Sequence, residues 1–292
     1  MAAETIKNLA ASVRQRLLNV AKQRGDAFDL ILARYALERL LYRMSVSPHR
    51  ERFLLKGALL FAVWGVDGHR PTRDADLLGF GGSDPTALAE VFREICVVPC
   101  DDGITFDPDS VAAAPIAEEK VYPGVRVTLR AELAGARIPV QIDVGFGDAV
   151  TPEPESVIYP VLLDAPAPKL RAYPVATVVA EKFHAMTVLG TGNSRMKDFH
   201  DLRVIAARFE IETGLLAKAI TATFARRKTP LPEGAPVALG AEFAADKAKR
   251  AQWAAFLRRN RLDDKRYSLE ECQAAIATLV LPALKIARDK RQ

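Results

Sequence analysis

Apolar residues recur at helical spacing at the start of the chain and change to strand spacing near residue 52. Ile6, Leu9, Val13, Leu17 and Val20 fall at i, i+3 and i+4 steps, and Phe28 to Leu41 continues that style. The periodicity predicts helix over residues 5–45, closed by Ser47-Pro48. Arg52 to Lys56 then reads as a short apolar strand, Gly57 to Trp64 as a short helix, and Asp74 to Leu78 as a second strand. Asp84-Pro85 offers an N-cap and a proline at N1 for a helix reaching Cys96. Residues 104–146 are mostly strand. Val125 to Leu133 alternates, Ala134-Gly135 turns the chain, and Ile138 to Val144 returns as the antiparallel partner.

Six prolines between 152 and 174 mark a connector, with one short strand expected near Val161–Leu163. Beyond it the pattern predicts helices over 175–190, 195–208, 212–226, 239–259 and 268–290. The last opens on a capping box, Ser268-Leu-Glu-Glu271. Helices, then a mixed sheet, then helices imply an α+β fold with a helical C-terminal lobe. The expected division is 1–50 as an N-terminal helical segment, 51–165 as the core and 166–292 as the lobe.

Composition narrows the class. The chain has 292 residues, 49% hydrophobic and 26% charged, which is globular. No apolar run is long and unbroken enough to span a bilayer. The N-terminus lacks the apolar core of a signal peptide. Cys96, Cys100 and Cys272 are odd in number and fit no secreted disulfide framework, so reduced thiols and a cytoplasmic location are expected. The net charge of +5 is unevenly spread. Residues 221–292 hold 15 Lys and Arg against 8 Asp and Glu, while the preceding 220 hold 26 against 28. Either a polyanionic partner or a solvated helical surface accounts for the basic end.

Candidate chemistry centres on Arg73-Asp74-Ala75-Asp76-Leu77-Leu78. Carboxylates at i and i+2 of a strand project from one face. Mg²⁺ is commonly held by one or two carboxylates plus substrate phosphates, and the glycine turn at Gly57 suits those phosphates. Asp143, among apolar strand residues, is either the third carboxylate of the site or a strand-end residue serving the Gly145–Gly147 turn. Glu181 and Lys182 interrupt an apolar helix. Arg195, Asp198 and Asp201 lie at i, i+3 and i+6 of the next one. Lys182 and Asp198 read as an internal salt bridge, as a phosphate contact, or as both. Thr72, two residues before Asp74, is either a plain β-branched residue or a regulatory phosphorylation site that would set negative charge beside the metal. Trp253 and Tyr267 are either core aromatics or platforms for bases.

The ordered set KGALL, RPTRDADLL, QIDVGF, VAEKFHAM and RMKDFHDLR, over roughly residues 50–210, resembles the AbiEii/AbiGii nucleotidyltransferase toxin family, whose relatives include the MenT-type toxins. The resemblance implies a polymerase-β-like nucleotidyltransferase core at 51–165. It also implies metal-dependent transfer of a nucleoside monophosphate from an NTP. In relatives the acceptor can be the tRNA 3′ end, which blocks translation, and a cognate antitoxin is the usual partner. Ala58 departs from the hydroxyl residue of the family's first motif. The family's later lysine falls on Lys182, and its Lys/Arg-Asp-x-x-Asp motif on Lys197 to Asp201. The candidate set is then Asp74, Asp76, Lys182 and Asp198 for catalysis. Lys56, Gly57, Arg73, Asp143, Arg195 and Asp201 would contact nucleotide, and Asp74, Asp76 and Asp143 would hold Mg²⁺ or Mn²⁺.

Three rivals share parts of this reading. A transferase acting on a small molecule such as an aminoglycoside would use the same dyad. A non-catalytic RNA- or antitoxin-binding protein would keep the basic surface alone. A metal phosphohydrolase of the His-Asp type would use His184, His200 and Asp201 and leave Asp74 and Asp76 without a task.

Overall fold

The computed structural model describes residues 8–66, 70–116, 124–262 and 267–289. It divides into two compact units: Met1–Gly147 with Glu155–Ala172, and Asp148–Pro154 with Tyr173–Gln292. The first carries the sheet and the two long N-terminal helices. The second is helical.

In the sheet unit, α1 (Leu9–Arg24) starts where the Asn8 side chain accepts from the Ala11 N–H at 3.0 Å and ends on Gly25 at φ 70°. Its Val13, Leu17 and Ala21 are buried, while Val20 is only half-buried. α2 (Phe28–Val46) stops at Ser47. Helical periodicity did not foretell that Glu38, Arg39 and Arg43 of α2 are buried. They are tolerated because each finds a partner. Arg43 grips Asp102 at 2.6 and 3.0 Å. Arg39 donates to the Pro166 carbonyl at 2.8 Å, and Glu38 accepts from the Leu162 N–H at 2.7 Å.

Among the described residues seven strands form one mixed sheet: β1 (Phe53–Lys56), β2 (Asp74–Gly79), β3 (Thr105–Pro115), β4 (Gly124–Leu133), β5 (Ala136–Phe146), β6 (Glu155–Ile158) and β7 (Lys169–Ala172), in the order β3-β4-β5-β2-β1-β7-β6. The pairs β2–β5 and β1–β7 are parallel and the rest antiparallel. Between β1 and β2 lie a 3-10 turn (Gly57–Leu59) and a one-turn helix, α3 (Leu60–Val63). α4 (Pro85–Cys96) begins on the Asp84 side chain, which accepts from the Ala87 N–H at 2.8 Å, and packs on β3.

The β4–β5 hairpin turns through Ala134 and Gly135, both at positive φ, the conformation of a two-residue type I′ turn. Along β4, Val125, Val127, Leu129, Ala131 and Leu133 are buried, and the residues between them face out. Each buried valine or leucine contributes about 1.5–3 kcal/mol of transfer energy.

The strand expected near Val161–Leu163 is not there. The prolines at 160, 166 and 168 break the ladder around it. The pairing falls instead to β6 and β7, which flank that segment.

The helical unit holds α5 (Val175–Leu189), α6 (Met196–Arg208), α7 (Thr213–Arg226), α8 (Ala241–Ala245), α9 (Lys247–Arg259) and α10 (Leu269–Asp289). Its core includes Phe183, Phe199, Phe224, Ile276 and Val280. The single helix expected over 239–259 is interrupted at Asp246. That residue turns extended, and its side chain restarts α9 by accepting from the Lys249 N–H at 2.9 Å. The capping box opening α10 forms, with Ser268 N–H donating to Glu271 at 2.6 Å and Glu271 N–H to Ser268 at 3.1 Å. Among the described residues no helix is long and apolar enough to cross a membrane.

Candidate active site

β2 brings Asp74 and Asp76 to one face of the sheet, with Ala75 buried between them on the other. Lys56 stands directly opposite Asp76 across the β1–β2 ladder, and Asp143 stands beside Asp76 across the parallel β2–β5 ladder. Gln141 takes the matching place beside Asp74. One face of three strands therefore carries Lys56, Asp74, Asp76, Gln141 and Asp143.

Gly57 closes on this row. It sits at φ 73°, and a Cβ added there would stand 2.8 Å from both Cβ and Cγ of Asp76. Only glycine permits that approach. The helical stretch after Gly57 is a 3-10 turn and a single α turn. That is too short for an N-terminal dipole of any consequence, so the turn itself, not the helix, is the feature beside Asp76.

Ahead of the dyad, the Thr72 hydroxyl bonds the Asp74 carboxylate and lies 3.3 Å from its carbonyl oxygen. Thr72 precedes β2 and is half-buried. Arg73 turns away to Asp29 at the start of α2, at 2.5 Å, with both side chains 60% exposed. Asp29 is held below the usual carboxylate range chiefly by that hydrogen bond.

Asp143 is already engaged. Arg126, opposite it in the β4–β5 hairpin, donates from Nε to Oδ1 and from Nη2 to Oδ2, both at 2.8 Å. The Gln141 amide adds a long hydrogen bond at 3.4 Å. The hydrogen bond to Asp143 and the charges of Asp143, Asp74 and Asp76 raise the Arg126 pKa. Among the described residues no three His, Cys, Asp or Glu side chains gather closely enough to hold a metal ion by themselves. The donor set fits a divalent cation shared between the Asp74–Asp76 dyad and phosphate oxygens, with Gly57 leaving room beside Asp76. It is not a ready-made three-carboxylate cage, because the guanidinium of Arg126 occupies both Asp143 oxygens. Arg126 was missed in the sequence, although the alternation of β4 places it on the dyad's face.

In the helical unit, α5 and α6 assemble a second charged group. The Lys182 ammonium donates to Asp198 Oδ1 at 2.7 Å and to Asp201 Oδ2 at 2.8 Å, and Arg195 Nε donates to Asp198 Oδ2 at 2.6 Å. Asp198 and Asp201 are 1% and 0% exposed. Burial alone would push the Lys182 pKa down, but the two carboxylates outweigh it and hold it above its ordinary value. Burial likewise opposes Lys182 and Arg195 at Asp198, and the cations win, keeping it low. Lys182 and Asp198 are therefore ionised near neutral pH. A protonated lysine and an Asp198 bonded to a cation on each oxygen hold charge and orientation.

The histidines point away from metal hydrolysis. His184 accepts from Arg227 on Nδ1 at 3.2 Å and bonds Thr229 on Nε2 at 2.9 Å. Burial, then the Arg227 charge, lowers its pKa to about 4. The His200 ring packs against Phe256 and Tyr267, and its Nδ1 lies 3.6 Å from Asp201, whose other oxygen serves Lys182.

Four cations of the basic C-terminal stretch are engaged within the protein. Arg227 binds Asp148 at 2.8 Å, Lys249 donates to the Asn193 carbonyl at 2.9 Å, Arg250 to the Ala244 carbonyl at 3.0 Å, and Arg288 to the Glu233 carbonyl. Trp253 is buried and belongs to the core, and Tyr267 is covered by Arg203. All three cysteines are free thiols, and burial pushes Cys96 and Cys272 up to about 12.

The fold has solved counterparts. The chain matches JHP933 from Helicobacter pylori with a TM-score of 0.52 and 13% identity, over 91% of this chain and 96% of that one. A second H. pylori structure, provisionally named a nucleotidyltransferase, matches with a TM-score of 0.50 and 14% identity, over 91% and 99%. At such identities the likeness is one of fold. A search of curated proteins finds no match. The family model for the nucleotidyl transferase AbiEii toxin of type IV toxin–antitoxin systems matches residues 39–276, a span that holds the dyad, Arg126, Asp143 and the Lys182 network. The chain belongs to the AbiEii nucleotidyltransferase toxin family.

Proposed function

We propose that this nucleotidyltransferase moves a nucleoside monophosphate from an NTP onto an RNA acceptor, the tRNA 3′ end in the first instance, and so blocks translation. The observation that carries the reading is the fit of Gly57 against Asp76 on a face that also presents Asp74 and Lys56. On this reading the core is polymerase-β-like, and Asp74 and Asp76 hold Mg²⁺ or Mn²⁺. Such a cation neutralises charge on the transferring phosphates. Lys56, Arg73 and the backbone at Gly57 serve the triphosphate. Asp143 joins the dyad only when Arg126 lets it go. Lys182 and Asp198 take the catalytic roles that the resemblance implies, with Asp201 and Arg195 beside them.

Control is proposed at two levels. A cognate antitoxin restrains the toxin, and a phosphate on Thr72 would place about −1.5 to −2 charges on a hydroxyl that already bonds Asp74. A Thr72→Glu variant that transfers nucleotide at the wild-type rate would remove the second level.

The direct test is to incubate the protein with each labelled NTP, Mg²⁺ and total tRNA. Label enters RNA with the wild type and falls at least a hundredfold with Asp76→Ala. Undiminished label in that variant would defeat the site assignment.

A further inference from the structure

β5 outruns β2. The first β2 residue, Asp74, pairs with Gln141, so Ala136 to Val140 of β5 continue past the start of β2 with no strand on that side among the described residues. A cavity of about 590 Å³ occupies this notch, within the range of ligand sites. Its lining includes Asp29 and Leu32 of α2, Pro139 of the β5 edge, and three arginines, Arg73, Arg130 and Arg137. It adjoins the dyad. Asp74, Gln141 and Thr128 form one row across the sheet, and Pro139 with Arg130 forms the next on the same face, about 7 Å on at two residues of strand rise.

The backbone says what this notch does not take. The Arg130 N–H donates to Ser110 Oγ on the β3 side, at 2.8 Å. The Arg130–Pro139 pair is therefore of the non-hydrogen-bonded kind, and the backbone groups of Arg137 and Pro139 point away from β4 into the notch. Pro139 has no N–H to offer. An added peptide strand would find one donor where the ladder requires two, so the edge is blunted against strand addition.

Cations are what it offers. Arg137 is exposed and makes no ion pair or hydrogen bond among the described residues. Arg73 and Arg130 hold Asp29 and Asp107, but these are exposed pairs, with the arginines 60% and 66% accessible. Such pairs contribute little and exchange readily. Guanidinium forks match phosphate oxygens two at a time. Leu32 and Ala33 add apolar wall to the same cavity, which suits a strand that alternates phosphates with flat bases.

We propose that this notch is the track of the acceptor strand. Arg130 and Arg137 hold the phosphates of the nucleotides leading to the reacting end, which then arrives beside Asp74, where Arg73 meets the triphosphate. The inference rests on the RNA-acceptor reading above and gives it an address in the sheet unit.

The test measures binding, not turnover. Labelled total tRNA, a labelled single-stranded RNA of mixed sequence and a labelled decaglutamate peptide are titrated by fluorescence anisotropy across a salt series. ATP with Mg²⁺ is titrated by calorimetry. Proteins are the wild type, Arg137→Ala and the Arg130→Ala/Arg137→Ala pair. The expected result is an RNA affinity about tenfold lower in the double variant, with ATP affinity unchanged. The log–log salt slope should shrink by about 0.7 for each single-strand phosphate that the variant no longer neutralises. Wild-type RNA binding that neither variant alters overturns the notch and leaves the RNA reading standing. Loss of ATP affinity with RNA binding intact makes the anion a triphosphate and overturns it too, as does peptide binding that depends on Arg137 while RNA binding does not. A wild type that binds no RNA at any salt defeats the RNA reading itself, and the notch with it.

Discussion

The sheet unit keeps a buried pair, Arg43 with Asp102, but the charge clusters around the candidate site residues pair aspartates with cations in opposite ways in the two units. In the sheet unit Arg126 meets Asp143 with 46% and 14% of the side chains exposed, and Arg73 meets Asp29 in the open. In the helical unit Lys182 sits between Asp198 and Asp201 at 12%, 1% and 0%. Exposed pairs are worth roughly 0–1 kcal/mol and can be traded for a ligand. Breaking a buried pair leaves an uncompensated charge and costs about 3–5 kcal/mol. At these two clusters the same residue types thus make an exchangeable site in one case and a permanent brace in the other.

The sharpest way to break this comparison is Lys182→Met. It should destabilise the helical unit by about 3–5 kcal/mol, because Asp198 and Asp201 lose their cation. Each unit holds one tryptophan, Trp64 or Trp253, so urea melts of Trp64→Phe protein report the helical unit alone. A loss below 1 kcal/mol would mean the network is not a brace.

Next in size is pH. The folded His184 pKa, about 4, lies below the unfolded 6.5. Its contribution is present above pH 6.5 and is lost as pH falls through 4. Glu38 runs the other way: burial, opposed by Arg39, raises it from 4.5 to about 7. Its contribution is present below pH 4.5 and is lost as pH rises through 7. Each amounts to about 3 kcal/mol. Fluorescence melts from pH 4 to 8, with Trp64→Phe and Trp253→Phe as unit reporters, should show the helical unit weakening on acidification and the sheet unit on alkalinisation. Parallel trends would refute the contrast.

Gly57→Ala comes third. The positive φ costs about 1–3 kcal/mol, and the new methyl displaces Asp76. Nucleotide transfer should fall by two orders of magnitude while the fold survives, as checked by labelling and thermal melting. Smallest in stability is Arg126→Ala, with a change under about 1 kcal/mol. Its effect shows elsewhere: Asp143 is freed, and Mn²⁺ measured by electron paramagnetic resonance should bind severalfold tighter without nucleotide. Unchanged Mn²⁺ affinity would leave Asp143 out of the metal site.

How much of this could be read from the chain follows the range of each interaction. Local signals were legible. Asp84 and the Ser268–Glu271 box cap the helices their residue types suggest, whereas Gly25, which ends α1 inside the helical stretch expected over 5–45, was not read as a stop. The hairpin was readable further than it was taken. A two-residue turn at Ala134-Gly135 pairs Leu133 with Ala136, and counting back sets Arg126 against Asp143. The β2–β5 register has no turn to fix it, so the meeting of Asp76 with Asp143 needed the structure. Glu38 and Arg39 were hidden for a different reason. Their partners are backbone groups at Leu162 and Pro166, more than 120 residues away, and no periodicity encodes them. The same prolines that suggested a loose connector pushed the strands outward to β6 and β7.

The order in which the chain visits the two units limits how the protein can be taken apart. Asp148–Pro154 belongs with the helices, yet Glu155–Ala172 returns to the sheet before the helices resume. A fragment beginning at Tyr173 would leave behind Asp148, which holds Arg227, and Thr151, whose N–H and carbonyl both bond the Thr177 hydroxyl at 3.0 and 2.7 Å. A fragment ending at Ala172 would carry those seven residues away from their partners. No single cut yields two whole pieces: a fragment that keeps either unit whole carries a segment of the other with it.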